Sequence, residues 1–144
     1  MNRAIEGLGC KTTVHICYGY GIQQNIDWKE TLGGEWRQYE EFFPALNNSK
    51  IDQVSLECAG SRVPYEVMGL LKDKEILVGA IDVATNEIET PEMVADTLRQ
   101  ASAFVDLERM TACTNCGMAP LTRGVAEAKL QALGAGAELF RRDP

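Results

Sequence analysis

Residues 12–21 read TTVHICYGYG, a short apolar run that ends in a glycine-rich turn. Alternate residues of a β-strand point to the same side, so a strand here directs His15 and Cys17 toward one point. Three similar apolar runs follow along the chain, at residues 52–58, 75–83 and 109–116. We therefore predict four strands, the first of which covers residues 12–17.

A segment with helical periodicity follows each apolar run. The four predicted helices cover approximately residues 27–46, 63–72, 91–105 and 119–135. Five residues have the character of helix boundaries: Asp27 as an N-cap, Pro64 and Pro91 in first turns, and Gly134 and Gly136 at the end of the last helix. Residues 1–9 resemble the end of a further helix that begins earlier.

Regular alternation of strands and helices, with strands that are nearly continuous in apolar residues, predicts an α/β fold with a parallel sheet covered by helices. Four βα units are half of an eight-stranded TIM-type barrel, whose functional residues lie at the carboxyl ends of the strands. No linker, low-complexity tract or block of charge interrupts the chain, so we predict a single domain over residues 1–144. Because half a barrel leaves two strand edges unpaired, the chain is expected to be a fragment or to associate with another copy.

The composition narrows the class of protein. A 144-residue chain with 45% hydrophobic residues can bury a core, and its net charge of −7 argues against nucleic acid as a partner. No stretch approaches the roughly 18 apolar residues of a membrane span, and no signal peptide precedes residue 12, so we predict a cytoplasmic protein without membrane contact. Five cysteines, an odd number without secretory features, indicate free thiols or metal ligands.

Four donors of the kinds that zinc prefers stand at the ends of apolar runs: His15, Cys17, Glu57 and Cys116. Taken alone, a single histidine is usually a structural residue, and a free cysteine such as Cys17 is usually a small buried apolar residue. The spacing of His15 and Cys17, together with the later donors, favours a metal site.

Glu57 follows apolar residues, where an unpaired carboxylate is costly to bury. Two hypotheses explain it. A cation binds Glu57, or Glu57 pairs with the nearby Arg62.

The spacing of the other cysteines indicates which of them can bind a metal. Cys113 and Cys116 form a C-x2-C pair, but no second pair exists, so a four-cysteine zinc ribbon is excluded. Cys116 is the preferred ligand because Gly117 follows it at a transition from strand to loop. Cys10 and Cys58 have no spacing argument and are interpreted as core or surface thiols.

Asp82 is a further carboxylate at a strand end, able to orient a ligand or a substrate amine. A helix cap or a loop hydrogen bond explains it equally well. The aromatic residues of the first predicted helix are interpreted as packing residues: Trp28, Trp36, Tyr39, Phe42 and Phe43.

Four short motifs together resemble the cobalamin-independent methionine synthase family, in its short single-barrel form: His15-x-Cys17-Tyr18, Leu56-Glu57, Asn115-Cys116-Gly117 and Thr122-Arg123-Gly124. The resemblance covers essentially the whole chain. It implies that the chain is the C-terminal half of a TIM-type catalytic barrel.

The resemblance also implies a zinc ion held by His15, Cys17, Glu57 and Cys116. In the family the metal presents the thiol of homocysteine as a thiolate to a methyl donor, usually a methylated reduced folate, so methionine is formed. The partners implied are homocysteine, the methyl donor, and a second copy or the missing N-terminal half of the barrel. Asp82 is the implied catalytic residue. Family members commonly carry a histidine two residues after it, where this chain has Ala84.

Two alternative functions stay open. One is a related zinc-dependent alkyltransferase that acts on another thiol, such as an enzyme that adds coenzyme M to an epoxide. The other is an inactive fragment that binds zinc.

Overall fold

The computed structural model describes residues 1–143 and contains one four-stranded sheet. Its strands are β1 (Thr13–Ile16), β2 (Gln53–Glu57), β3 (Glu75–Gly79) and β4 (Met110–Cys113). Each strand pairs in parallel with the next, and the spatial order β1-β2-β3-β4 equals the chain order. A barrel sheet keeps this order, whereas a doubly wound sheet reverses it. The structure thus confirms the parallel α/β class and is consistent with part of a barrel.

Four α-helices accompany the sheet in the described chain: α1 (Gln23–Glu30), α2 (Tyr39–Asn47), α3 (Pro91–Ser102) and α4 (Arg123–Arg142). Short 3-10 helices occupy Asn2–Ala4, Tyr65–Leu70 and Leu107–Arg109. None of the described helices is both long and apolar enough to cross a membrane.

The single helix predicted over residues 27–46 is wrong, because two helices, α1 and α2, occupy this region. Gly33 lies between them with a φ of +80°, in the left-handed region that ends a helix. Asp27 does not cap α1. The N-cap residue is Ile22, and Asp27 lies inside the helix, where its carboxylate accepts a hydrogen bond from Gln23 at 2.8 Å.

Two further helix predictions need correction. The segment predicted as a helix over residues 63–72 forms only the six-residue 3-10 helix, with Pro64 as its N-cap residue. Residues 1–9 contain the short 3-10 helix Asn2–Ala4 and no α-helical turn. Pro91, in contrast, occupies the first turn of α3 as predicted, and the Thr90 hydroxyl caps that helix.

Helix α4 continues through both glycines that were expected to end it. Gly136 has a packing role instead, because α4 meets α3 there. A Cβ at Gly136 would lie 2.6 Å from Val94 Cγ1 and 2.7 Å from the Pro91 carbonyl oxygen, whereas one at Gly134 would meet nothing within 4 Å. The glycine therefore permits close approach of the two helices.

The two faces of the sheet differ. One face packs into the core, where Val54, Leu56, Ile76 and Val78 are at most 1% exposed. The residues that alternate with them belong to the other face, and they include the polar side chains of Gln53, Ser55 and Glu75. Strand β2 therefore alternates between apolar and polar residues, whereas β3 is continuously apolar from Ile76 to Val78. His15 lies on the polar face.

Candidate metal centre

Three of the four predicted ligands come together at the carboxyl end of the sheet. His15 lies in β1, Cys17 directly follows it, and Cys116 lies in the loop after β4. Their ligand atoms are all within 4.8 Å of one another, and the two sulfur atoms are 3.8 Å apart. Two thiolates bound to one tetrahedral zinc with bonds of about 2.3 Å would be about 3.8 Å apart. The donors fit zinc both in type and in spacing.

The loop after β4 carries Cys116 across the ends of the neighbouring strands. Asn115 is fully buried and fixes this path. Its backbone N–H donates to the Ile81 carbonyl at 2.9 Å, its Oδ1 accepts from the Cys58 backbone N–H at 2.9 Å, and its Nδ2 donates to the Ala59 carbonyl at 2.6 Å. These bonds attach the loop to the segments after β2 and β3.

Sequence reasoning missed both residues that make this crossing possible. Gly79, at the end of β3, has no side chain where the Asn115 backbone passes over it. The Asn115-Cys116-Gly117 motif entered the prediction without a role for Asn115. The amide's partners are 56 and 57 residues away, so no local pattern indicated them.

Ser55 is another residue that the prediction missed. It is the register neighbour of His15 in β2, and its hydroxyl lies 3.0 Å from His15 Nδ1. This contact leaves Nε2 available for a metal, in the arrangement by which outer groups orient metal-binding histidines. Ser55 precedes Glu57 by two residues, so the two share a strand face, which is the signal that could have identified it.

The fourth predicted ligand, Glu57, lies outside the three-donor group. Its side chain is buried, with 1% exposure. Its Oε1 accepts hydrogen bonds from the Tyr18 backbone N–H at 2.6 Å and the Tyr39 hydroxyl at 3.0 Å. Its Oε2 accepts one from the Tyr20 hydroxyl at 2.5 Å. These three donors compensate the burial of the carboxylate.

The hypothesis that Glu57 pairs with Arg62 is wrong. The Arg62 guanidinium donates to the Gly33 carbonyl at 3.1 Å and lies 3.5 Å from the Glu30 carboxylate.

The electrostatics of the site favour neutral groups in the absence of a cation. The pKa of the Cys17 thiol is raised to about 11, mainly by burial; a backbone hydrogen bond at Gly19 lowers it, and the neighbouring Cys116 and Glu57 contribute smaller increases. Burial and the charge of Glu57 likewise raise the pKa of Tyr20 and of Tyr39 above the usual value, so both hydroxyls stay protonated donors. A bound dication would reverse this preference at the thiol.

Asp82 follows β3 and lies outside the three-donor group. Its Oδ1 accepts a hydrogen bond from the Ala84 backbone N–H at 2.8 Å, which is the loop hydrogen bond of the alternative interpretation. Its own backbone N–H donates to Glu89 at 3.0 Å. Glu89 and Lys129 form a buried ion pair at 2.9 Å, so helix α4 holds the Asp82 loop in place.

The other cysteines stand apart from the three donors. Cys10 is exposed, and Cys58 is buried in the core as one of its two interpretations required. Cys113 Sγ lies 3.8 Å from the Ser55 hydroxyl, and burial raises its pKa to about 11.

The aromatic residues form a packed cluster, with Tyr39 stacked on Tyr18 and on Phe43 at ring distances of 4.9 and 5.2 Å. Their interpretation as packing residues is confirmed for Trp36, Tyr39 and Phe43, which are buried, whereas Trp28 and Phe42 are exposed at the edge of the cluster. Trp36 lies before α2 rather than in a helix. Tyr39 has a second role that the sequence did not indicate, as a donor to Glu57.

Comparison with known proteins was made against families, curated sequences and solved structures. The family described as cobalamin-independent synthase, catalytic domain, matches residues 36–138. Methionine synthases of Saccharolobus islandicus (strain Y.G.57.14 / Yellowstone #1) and Sulfurisphaera tokodaii are both 31% identical over 99% of this chain, which covers 38% and 37% of their lengths.

A solved structure resembles the chain more strongly. It is that of a B12-independent methionine synthase from Shewanella sp. W3-18-1 in complex with selenomethionine, with 61% identity and a TM-score of 0.95. The match covers 99% of this chain and 42% of that one. The chain thus spans about two fifths of the length of the relatives it matches.

Proposed function

Because the chain belongs to the cobalamin-independent methionine synthase family, we propose that it is the metal-binding part of a zinc-dependent methyltransferase that forms methionine from homocysteine. The observation that carries the proposal is the convergence of one imidazole and two thiols, with 3.8 Å between the sulfur atoms. Such a set is typical of zinc, and zinc sites of this kind activate thiols and water.

In this proposal His15, Cys17 and Cys116 hold the ion and Glu57 is the fourth ligand. The ion, when bound, supplies the positive charge that keeps a substrate thiol deprotonated at neutral pH. A carboxylate is the ligand that a thiol replaces with least loss, because zinc favours sulfur over oxygen donors. Ser55 orients the His15 ring, and the half-exposed cysteines leave the site open to a substrate.

We assign Asp82 to the amino-acid end of homocysteine. Its carboxylate is half-buried at the same end of the sheet, and its negative charge is opposite to the positive charge of an α-amino group. The Shewanella relative was solved with selenomethionine, an amino acid of the same shape as the expected product. The remaining contacts to the substrate belong to parts of the barrel outside this chain.

The methyl donor in this proposal is a methylated reduced folate. A folate leaving group needs a proton when it departs. Ala84 has no titratable side chain and cannot supply one, so the proton must come from a different group.

The partner in this proposal is the remainder of a barrel, contributed by a second copy or by an N-terminal half. Strands β1 and β4 are the edges of the described sheet, and each presents unpaired backbone groups. An apolar groove beside β4 adds a surface for another element and is lined by Leu107, Met110, Leu130, Leu133 and Phe140.

Metal analysis of purified variants tests the zinc site. We expect one zinc per wild-type chain, and its loss in Cys17→Ser and in Cys116→Ser. Cys10→Ser is the matched control, because Cys10 is exposed and outside the group, and it should keep the metal. Full zinc retention in both ligand variants would contradict the assignment.

The substrate is tested with the chain combined with the rest of the barrel. Formation of methionine from homocysteine and a methylated folate supports the proposal. Turnover of coenzyme M without methionine formation would favour the alkyltransferase alternative.

A further inference from the structure

The buried carboxylate of Glu57 has a set of hydrogen-bond donors of its own. We propose that Tyr20 and Tyr39 are positioning residues that hold Glu57 in a place apart from the three nitrogen and sulfur donors when a thiol displaces it from the metal. This inference rests on the proposed zinc site, and it adds two residues to which neither the motifs nor the comparisons give a role.

The donors approach Glu57 from separate parts of the chain. Tyr39 comes from α2, while the Tyr20 hydroxyl and the Tyr18 backbone N–H come from the turn after β1. Tyr20 also accepts a hydrogen bond from Asn115 Nδ2 at 3.2 Å, which leaves its own proton directed to Glu57. Both carboxylate oxygens are therefore occupied without a metal.

The donors are held rigidly. Tyr39 is 4% exposed, and its ring stacks between Tyr18 and Phe43. The Tyr18 hydroxyl is bonded to Gln38 at 2.5 Å and takes no part in holding the carboxylate. The Tyr39 ring cannot turn away without disturbing this packing, and the Tyr20 hydroxyl is held between Glu57 and Asn115 Nδ2.

This arrangement changes the energetics of ligand exchange. A buried carboxylate that loses its only cation is left unpaired at high cost, which would keep Glu57 on the metal. Hydrogen bonds to a charged group are stronger than neutral ones, and Glu57 accepts three. Glu57 can therefore leave a metal without becoming an unpaired buried charge.

The tyrosines could instead have the ordinary role of groups that orient a metal ligand, and the expected effect on metal affinity is then the opposite. If the tyrosines served to direct Glu57 onto the metal, their removal would weaken metal binding 10- to 100-fold. If they hold Glu57 apart, their removal leaves metal binding unchanged or tighter and weakens the binding of a thiol. The two roles are therefore separable by two measurements on the same proteins.

The experiment uses the full chain loaded with Co²⁺, which reports thiolate binding through its absorption spectrum. The variants are Tyr20→Phe, Tyr39→Phe and the double variant. Tyr65→Phe is the matched control, because Tyr65 is partly buried and donates nothing to Glu57. 2-Mercaptoethanol is the thiol probe, since it needs only the metal; it binds as a thiolate and its proton passes to the buffer. Chelator competition gives the metal affinity.

We expect the double variant to bind 2-mercaptoethanol about tenfold more weakly, with cobalt affinity equal to or greater than that of the wild type. Tyr65→Phe should match the wild type in both measurements. In a Glu57→Gln background the two Phe substitutions should no longer affect thiol binding, because the carboxylate they act through is gone.

A loss of cobalt affinity of tenfold or more in the Phe variants would overturn the inference, and so would an unchanged thiol affinity. If the Tyr39 variant does not fold, Tyr20→Phe alone tests the inference, because Tyr20 lies in a turn and is less buried than Tyr39. If the wild-type chain binds neither cobalt nor zinc, the proposed function itself fails. If the wild-type chain binds metal but the Phe variants match it in both cobalt affinity and thiol affinity, only the inference fails.

Discussion

Gly79 lies so close to Asn115 that a Cβ on the glycine would be 2.5 Å from Asn115 Oδ1 and 2.9 Å from Asn115 Cα. The loop after β4 can cross the end of β3 only because this side chain is absent. The crossing brings Cys116, which follows an edge strand, to Cys17, which follows the opposite edge.

Gly79→Ala should therefore weaken zinc binding at least tenfold, although it removes no ligand. The added methyl group would meet both Asn115 and the Leu56 carbonyl oxygen, the latter at 2.5 Å, so the loop or β2 must shift. Shifts in the groups that surround a metal site cost metal affinity. Gly117→Ala is the control, because it adjoins Cys116 but a Cβ there meets nothing within 4 Å. Chelator competition on the two variants decides, and equal zinc affinities would contradict the role given to Gly79.

The ion pair of Lys129 and Glu89 should be important for stability. Lys129 is fully buried and also donates to the Glu87 carbonyl. Lys129→Met leaves a buried carboxylate without its cation, so we expect a loss of about 3 to 5 kcal/mol in the free energy of unfolding. Urea denaturation measures it.

The control for that change lies on the same helix. Arg123 pairs with Glu127 at 2.7 Å but is exposed, so Arg123→Met should cost no more than about 1 kcal/mol. Similar losses for the two variants would show that burial of the Lys129 pair has no special effect.

The two glycines of α4 should respond in opposite directions to alanine. Gly134→Ala should stabilise the protein by up to about 1 kcal/mol, because alanine is the better helix former and the site is open. Gly136→Ala forces a methyl group against Val94 and the Pro91 carbonyl, and we expect a net loss of about 1 to 3 kcal/mol. Thermal unfolding of both variants tests the pair, and stabilisation by Gly136→Ala would refute the close contact of α3 with α4.

The edges of the sheet should make the isolated chain associate. Both β1 and β4 present unpaired backbone groups, and an isolated monomer would leave them and the groove beside β4 in water. We expect a dimer in sedimentation experiments, or a requirement for a polypeptide that supplies further strands. A stable monomer that forms methionine at an ordinary enzymatic rate would contradict this expectation.

The sequence predicted those features that depend on neighbouring residues. Strand periodicity placed His15 and Cys17 on one side of β1, and the apolar runs located all four strands. The predicted helix boundaries were wrong where a glycine in the left-handed region separates two helices, as Gly33 does between α1 and α2. The adjacent glycines Gly33 and Gly34 are a local signal for this break, and the predicted helix extended across them because the segments on both sides are helical.

The surroundings of Glu57 could not be predicted for a different reason. The carboxylate at the end of β2 suggested a cation or an arginine, yet its partners are hydroxyl groups 18 and 37 residues away in the sequence. Those contacts follow from how α2 and the turn after β1 pack over the sheet. The metal-binding roles of His15, Cys17, Glu57 and Cys116 and the role of Asp82 stay predictions.

The separation of Cys17 and Cys116 by 99 residues has a consequence for the unfolded chain. An ion that bound both sulfurs would act as a cross-link over most of the polypeptide. For a covalent link that closes a loop of about 100 residues, the loss of chain entropy in the unfolded state corresponds to about 4.7 kcal/mol. The free energy of unfolding would then depend on the concentration of metal, independently of any substrate the protein turns over.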